Sequence, residues 1–97
     1  MRSIWRKQKP ERRFVYRLEI SHVAHKQIEV LSPRFAQRIN EAISQLADEP
    51  RPVGAKKLMG IEGYRIRVGD YRVLYVVNDE SRLIVVYRVK HRREVYR

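Results

Sequence analysis

The chain has 97 residues, with 22 Lys and Arg against 11 Asp and Glu, a formal net charge of +11 and no cysteine. That length supports one hydrophobic core and not two, and without cysteine neither a disulfide nor a thiolate-bound metal can brace it. An apolar fraction of 43% argues against disorder, and no apolar run approaches the ~20 residues that a membrane-spanning helix needs.

The basic charge is unevenly distributed. Residues 1–17 hold seven Lys and Arg against one acid, residues 18–55 hold four against five, and residues 56–97 hold eleven against five. A basic face focuses its field on a polyanion such as nucleic acid, although a solvated surface or a patch for an acidic partner has the same composition. The basic start, Met1 to Lys7, is not followed by an apolar segment, so no export signal is expected. Together with the lack of cysteine this fits a reducing, cytoplasmic compartment.

Residues 1–13 carry five basic side chains from Arg6 to Arg13 around Pro10, with little apolar periodicity, and predict a flexible basic arm. Residues 14–97 predict a single folded domain. Phe14 to Ile20 reads as a first strand, with Tyr16, Leu18 and Ile20 on one side. Ser21 suits a helix N-cap, because its hydroxyl can accept a hydrogen bond from an orphan backbone N–H. Ala24, Ile28 and Leu31 then mark a first helix. Ser32-Pro33 opens a second, along which Phe35, Ile39, Ala42, Ile43 and Leu46 form one apolar stripe. Asp48-Glu-Pro-Arg-Pro stops it, since proline lacks the N–H and disfavours the α region before it.

Three segments rich in Tyr, Val and Ile follow: Tyr64 to Val68, Tyr71 to Val77 and Leu83 to Val89. They predict an antiparallel β-meander with hairpin turns at Gly69-Asp70 and around Asn78 to Arg82. The predicted fold is therefore α+β: an N-terminal strand, a helical hairpin and a meander with the helices packed on one face.

The short loop after Val68 predicts a register. A two-residue Gly69-Asp70 turn sets Val68 against Tyr71, Arg67 against Arg72, and Arg65 against Leu74. Like charges directly opposite each other are destabilising unless an anion lies between them. Arginine presents a planar fork of donors matched to phosphate oxygens. Arg65, Arg67 and Arg72 on one exposed face thus form a candidate phosphate cradle, and Arg88 lies beside Arg72 if the next loop has the right parity. Solvated positions on an ordinary sheet are the bland alternative.

The end of the chain, His91-Arg-Arg-Glu-Val-Tyr-Arg, supplies further chemistry. RNA can be cut without a metal if a base takes the 2′-hydroxyl proton, cations stabilise the phosphorane and an acid protonates the leaving 5′-oxygen. His91 and Tyr96 are able to move protons, whereas Arg92 and Arg93 can only donate hydrogen bonds and stabilise charge. No spaced metal ligands, glycine-rich phosphate loop or nucleophile elbow is present, so no metal or cofactor is expected.

Lys56-Lys-Leu-Met-Gly, Tyr64-Arg-Ile-Arg-Val-Gly-Asp-Tyr-Arg-Val-Leu-Tyr and Val89-Lys-His-Arg-Arg-Glu-Val-Tyr resemble the RelE/ParE toxins over Tyr16 to Tyr96. The resemblance implies a RelE-like fold, a RelB-like antitoxin as partner and, in the RelE branch, metal-independent cleavage of mRNA in the ribosomal A site. It places catalytic roles on Arg65, Arg67, Arg72, Arg92 and Tyr96. Arg72 and Arg92 would hold the scissile phosphate, Arg65 and Arg67 would position the backbone, and Tyr96 would transfer a proton or stack a base. Lys56, Lys57, Arg88, Lys90 and Arg93 are expected to bind RNA. Relatives can carry lysine where this chain has Arg65 and Arg67. Because arginine does not deprotonate, proton transfer is pushed toward Tyr96 or His91. Lys90 and Met59 also depart from the family pattern. A ParE-like gyrase poison and a non-catalytic RNA- or ribosome-binding protein are the alternative readings.

Overall fold

The computed structural model describes residues 15–95, the last two as backbone only. In chain order the elements are β1 (Arg17–Ile20), α1 (His22–Glu29), α2 (Pro33–Leu46), β2 (Lys56–Lys57), β3 (Tyr64–Val68), β4 (Tyr71–Asn78), β5 (Leu83–His91) and a short α3 (Arg92–Val95). The predicted arm, Phe14 and Tyr96 lie outside the described residues.

Ser21 caps α1 as expected: its backbone is extended and its Oγ accepts from the Ala24 N–H at 3.1 Å. Pro33 opens α2 after Ser32, but the Ser32 hydroxyl makes no capping bond. The apolar stripes of both helices meet the sheet. Ala24, Ile28, Ile39, Ile43 and Leu46 pack with Ile66, Val73, Tyr75, Ile84, Val86 and Val89 into one buried cluster. Phe35 departs from its stripe: it stays 37% exposed at the edge, leaning on Tyr71 with ring centroids 5.8 Å apart.

The sheet has the order β1-β5-β4-β3-β2. Strands β3, β4 and β5 form the predicted antiparallel meander. Two features add to the expectation. The first strand pairs parallel with β5, Arg17 facing Leu83 through Ile20 facing Val86, so the sheet is mixed. A long connection is what a parallel pair requires, and the helices plus the meander supply it. The two-residue β2 also extends the far edge, Lys56 pairing with Arg65 and Lys57 with Tyr64. No helix among the described residues is long and apolar enough to cross a membrane.

A polar network ties the loop after α2 to the sheet. Asp79 accepts from the Tyr16 hydroxyl and pairs with Arg51 at 2.9 Å, while Arg51 Nε donates to the Tyr64 hydroxyl at 3.0 Å. Nearby, the buried Tyr75 donates to the Pro50 carbonyl at 2.7 Å, and burial pushes its phenol up to about 12. The bonds from Arg51, then from Tyr16, hold the Asp79 carboxyl below the usual carboxylate range. A lowered native pKa stabilises the fold above the unfolded-state value, and the contribution is lost as pH falls through the native value. Asp79→Asn is therefore expected to have a lower thermal midpoint than the parent chain at pH 7, with the gap closing below about pH 4. A gap that stays constant across that window would remove Asp79 ionisation from the explanation.

Candidate nucleic-acid interface

The β3–β4 hairpin is built as its two loop residues dictate. Gly69 has φ +61, the first-position glycine of a two-residue turn, and it sets Val68 opposite Tyr71, Arg67 opposite Arg72 and Arg65 opposite Leu74. Ile66 and Val73 point into the helix-covered core, so Arg65, Arg67 and Arg72 share the other face. Arg67 is exposed there, and Arg65 and Arg72 are half-buried.

Strand β5 joins the same face because of an irregularity. Leu74 pairs with Arg88 and Tyr75 with Val86, leaving Tyr87 as the extra residue of a bulge. Regular pairing continued from Val86 would put Arg88 opposite the buried Val73 and Lys90 opposite Tyr71, on the core side. The extra residue reverses that alternation and delivers both cations to the open face. Arg88 therefore lies opposite Leu74 rather than beside Arg72, and Lys90 takes the place facing Arg72.

Two cross-strand rows result. Lys56, Arg65, Leu74 and Arg88 form one, and Arg67, Arg72 and Lys90 form the next. At the usual spacing of about 4.8 Å between strands, the second row gathers three cations within ~10 Å. Toward the opposite end of the sheet Glu62, Asp79 and Glu80 line a groove with Val76 and Val85, and Asp79 is paired there with Arg51. The row of Arg67, Arg72 and Lys90 lies nearest the Gly69 end.

Two depressions open beside Arg67. A cleft of about 130 Å³ is lined by Arg67, Gly69, Asp70, Tyr71, Arg72 and Arg92, and a shallower groove of about 420 Å³ by Val53, Gly54, Lys56, Arg65, Ile66 and Arg67. Arg67 belongs to both. Arg92 is fastened in place: its N–H donates to the Asp70 carbonyl at 2.7 Å, and its guanidinium lies 3.6 Å from the Asp70 carboxylate. Both side chains of that pair are largely exposed, so the ion pair is weak and an incoming phosphate can compete for Arg92.

His91 is not brought into this cleft. It pairs with Tyr71 across the strands and sits edge-on to that ring at 5.1 Å, on the side lined by Gln27, Val30, Leu31 and Val89. Its Nδ1 accepts from the Arg93 N–H at 3.2 Å, which leaves the neutral ring's proton on Nε2. Arg93 is exposed on α3, and Lys57 is exposed on β2 opposite Tyr64. Tyr96 lies outside the described residues. Among the described residues, no three His, Asp or Glu side chains gather as a metal site.

One cation at this end was not singled out from the sequence. Arg38, on α2, places its guanidinium nitrogens 3.7 and 3.9 Å from where a Cβ on Gly69 would stand. Nothing in the periodicity distinguishes Arg38 from any solvent-facing helix residue; its position follows from how α2 packs on the hairpin.

The chain is similar to known toxins. Residues 18–96 match the family model of the ParE toxin of the type II toxin–antitoxin system, parDE. Toxin RelG of Mycobacterium tuberculosis is 33% identical over 84 residues, spanning 84% of this chain and 97% of RelG. The toxin–antitoxin complex RelBE2 of the same organism superposes with a TM-score of 0.72 at 30% identity, covering 80% of this chain and 99% of the solved one. The isolated RelE toxin of E. coli gives 0.69 at 28% identity, covering 84% and 90%.

Proposed function

The chain belongs to the RelE/ParE superfamily of type II toxin–antitoxin toxins, as a RelE-like member, and on that footing we propose that it is a ribosome-dependent endoribonuclease that cuts mRNA in the A site. The observation that carries this reading is the convergence of Arg67, Arg72 and Arg92 on one cleft at the end of a cationic sheet face.

A phosphodiester entering the cleft meets guanidinium donors from three elements. Arg72 and Arg92 hold the scissile phosphate and stabilise the charge that builds as the 2′-oxygen attacks phosphorus. Arg65 and Arg67 position the backbone, with Lys56, Arg88, Lys90 and Arg93 carrying the flanking RNA, while Lys57, opposite Tyr64, points to the helix side. The chain's own cations do the electrostatic work, so the proposed reaction is metal-independent. None of these guanidiniums can act as a base at physiological pH. His91 faces the other side of the sheet, which favours Tyr96 for proton transfer. It follows directly after α3, whose first residue is pinned to Asp70 beside the cleft.

A cognate RelB-like antitoxin is the proposed protein partner, by likeness to the RelBE2 complex. An acidic antitoxin seated over this face would neutralise it and exclude RNA. The reading is tested by offering the purified chain one mRNA in two forms, bound to ribosomes and free in solution. Cutting confined to the ribosome-bound form is expected; no cutting of either form overturns the proposal.

A further inference from the structure

We propose that Arg38 is a further phosphate-binding residue of this interface, taking an RNA backbone phosphate next to the one held by Arg67, Arg72 and Arg92. The inference rests on the RNA-binding part of the function proposed above and extends the site from the sheet onto helix α2.

Two independent contacts place Arg38 there. Phe35 packs its ring against Tyr71, a lining residue of the cleft, and so pins the N-terminal half of α2 to the end of the hairpin. Arg38 lies three residues further along the helix, on the same side. Its guanidinium reaches over Gly69, which lines the same cleft, and the missing side chain at Gly69 leaves its two terminal nitrogens facing the turn. Among the described residues no ion pair joins Arg38 to a carboxylate. Asp70, next to Gly69, lies 3.6 Å from Arg92, and Glu41, one turn along the helix, accepts from Gln37 at 3.4 Å. Arg38 is exposed, so its charge contributes little to folding and holding it beside a cationic cleft brings the fold no gain. A polyanion crossing the mouth of the cleft is the ligand that this placement suits, and arginine's fork matches a phosphate better than a point charge would.

The phosphate belongs either to the message or to ribosomal RNA, and binding to two probes separates them. One is a fully 2′-O-methylated single-stranded RNA 12-mer, which cannot be cut; the other is ribosomes with an empty A site and no message. Affinity is measured across a salt series for the parent chain, Arg38→Ala, Arg38→Gln, Arg38→Lys and the control Arg17→Ala. Arg17 pairs with Glu19 at the opposite end of the sheet, so its loss removes the same charge at a distance. For the 12-mer, Arg38→Ala and Arg38→Gln are expected to reduce the slope of log affinity against log salt by about 0.7, the value of one single-strand phosphate contact. Arg38→Lys retains the slope, and Arg17→Ala leaves it unchanged. A reduction seen with the 12-mer assigns the phosphate to a message-like strand; one seen only with ribosomes assigns it to ribosomal RNA.

If Arg38→Ala and Arg38→Gln track Arg17→Ala on both probes, the proposal is overturned. That result in a chain that still cuts ribosome-bound mRNA removes Arg38 alone. A parent chain that binds with an Arg38-dependent slope yet cuts nothing removes the ribonuclease reading and leaves Arg38 in place.

Discussion

Changing Arg72 to alanine together with Tyr96 to phenylalanine is expected to abolish both mRNA cleavage and growth inhibition while the domain stays folded. Arg72 sits in the centre of the Arg67, Arg72 and Lys90 row and also lines the cleft, so no other guanidinium can take its place without a strand shift. Removing one donor preorganised for developing charge typically slows a reaction about 10²–10³-fold. Losing a positioned proton donor or acceptor slows a reaction by about 10²–10⁴-fold, and because groups acting as a unit are not additive the two losses together fall short of the product. The fold should tolerate the change, because opposed Arg67 and Arg72 repel each other in the absence of an anion. Cleavage of ribosome-bound mRNA by each single variant and the double variant, with a thermal melt on each, separates lost chemistry from lost structure. Full toxicity in the double variant would remove the proposed site.

Gly63→Ala should have the largest effect on stability of any Gly→Ala change in this chain. Gly63 is buried, has φ +124, and precedes β3, so it sets the entry of the strand that carries Arg65 and Arg67. A Cβ there would stand 2.7 Å from the Tyr75 carbonyl oxygen, which belongs to the backbone of the central strand and cannot swing away. Backbone strain of about 1–3 kcal/mol and overpacking of similar size act together. That is a large part of the roughly 5–15 kcal/mol that holds a domain folded. Gly60→Ala is the comparison: φ is +80 but no atom lies within 4 Å of the added Cβ, so only the backbone term remains. Urea midpoints for the two variants should differ clearly, Gly63→Ala being the lower. Equal midpoints would mean that the close approach to Tyr75 is relieved at no cost.

The parts of this molecule legible in its sequence are those controlled by short-range geometry. Ser21 and Pro33 mark helix starts because capping and fixed φ act within one turn. The Arg67–Arg72 pair follows from a two-residue loop, since a tight turn leaves its flanking strands no choice of register. Features that depend on distant partners were not legible. The direction of β1 is decided by β5, more than sixty residues on, and apolar alternation reads the same in either direction. The two residues of β2 become a strand only through Arg65 and Tyr64. The bulge at Tyr87 leaves no mark in the run Val85 to Val89 beyond a break in alternation, yet it decides that Arg88 and Lys90 face the anion site rather than the core. It also leaves His91 on the helix side, against Tyr71, where sequence alone made it a candidate for proton transfer.

The most direct measurement maps the 5′ ends of a defined mRNA after the purified chain is added to ribosomes halted with a known codon in an empty A site. New ends within that codon, absent when the same mRNA is free, are the predicted result. An intact message on the ribosome, with the chain instead inhibiting supercoiling by DNA gyrase, would contradict it.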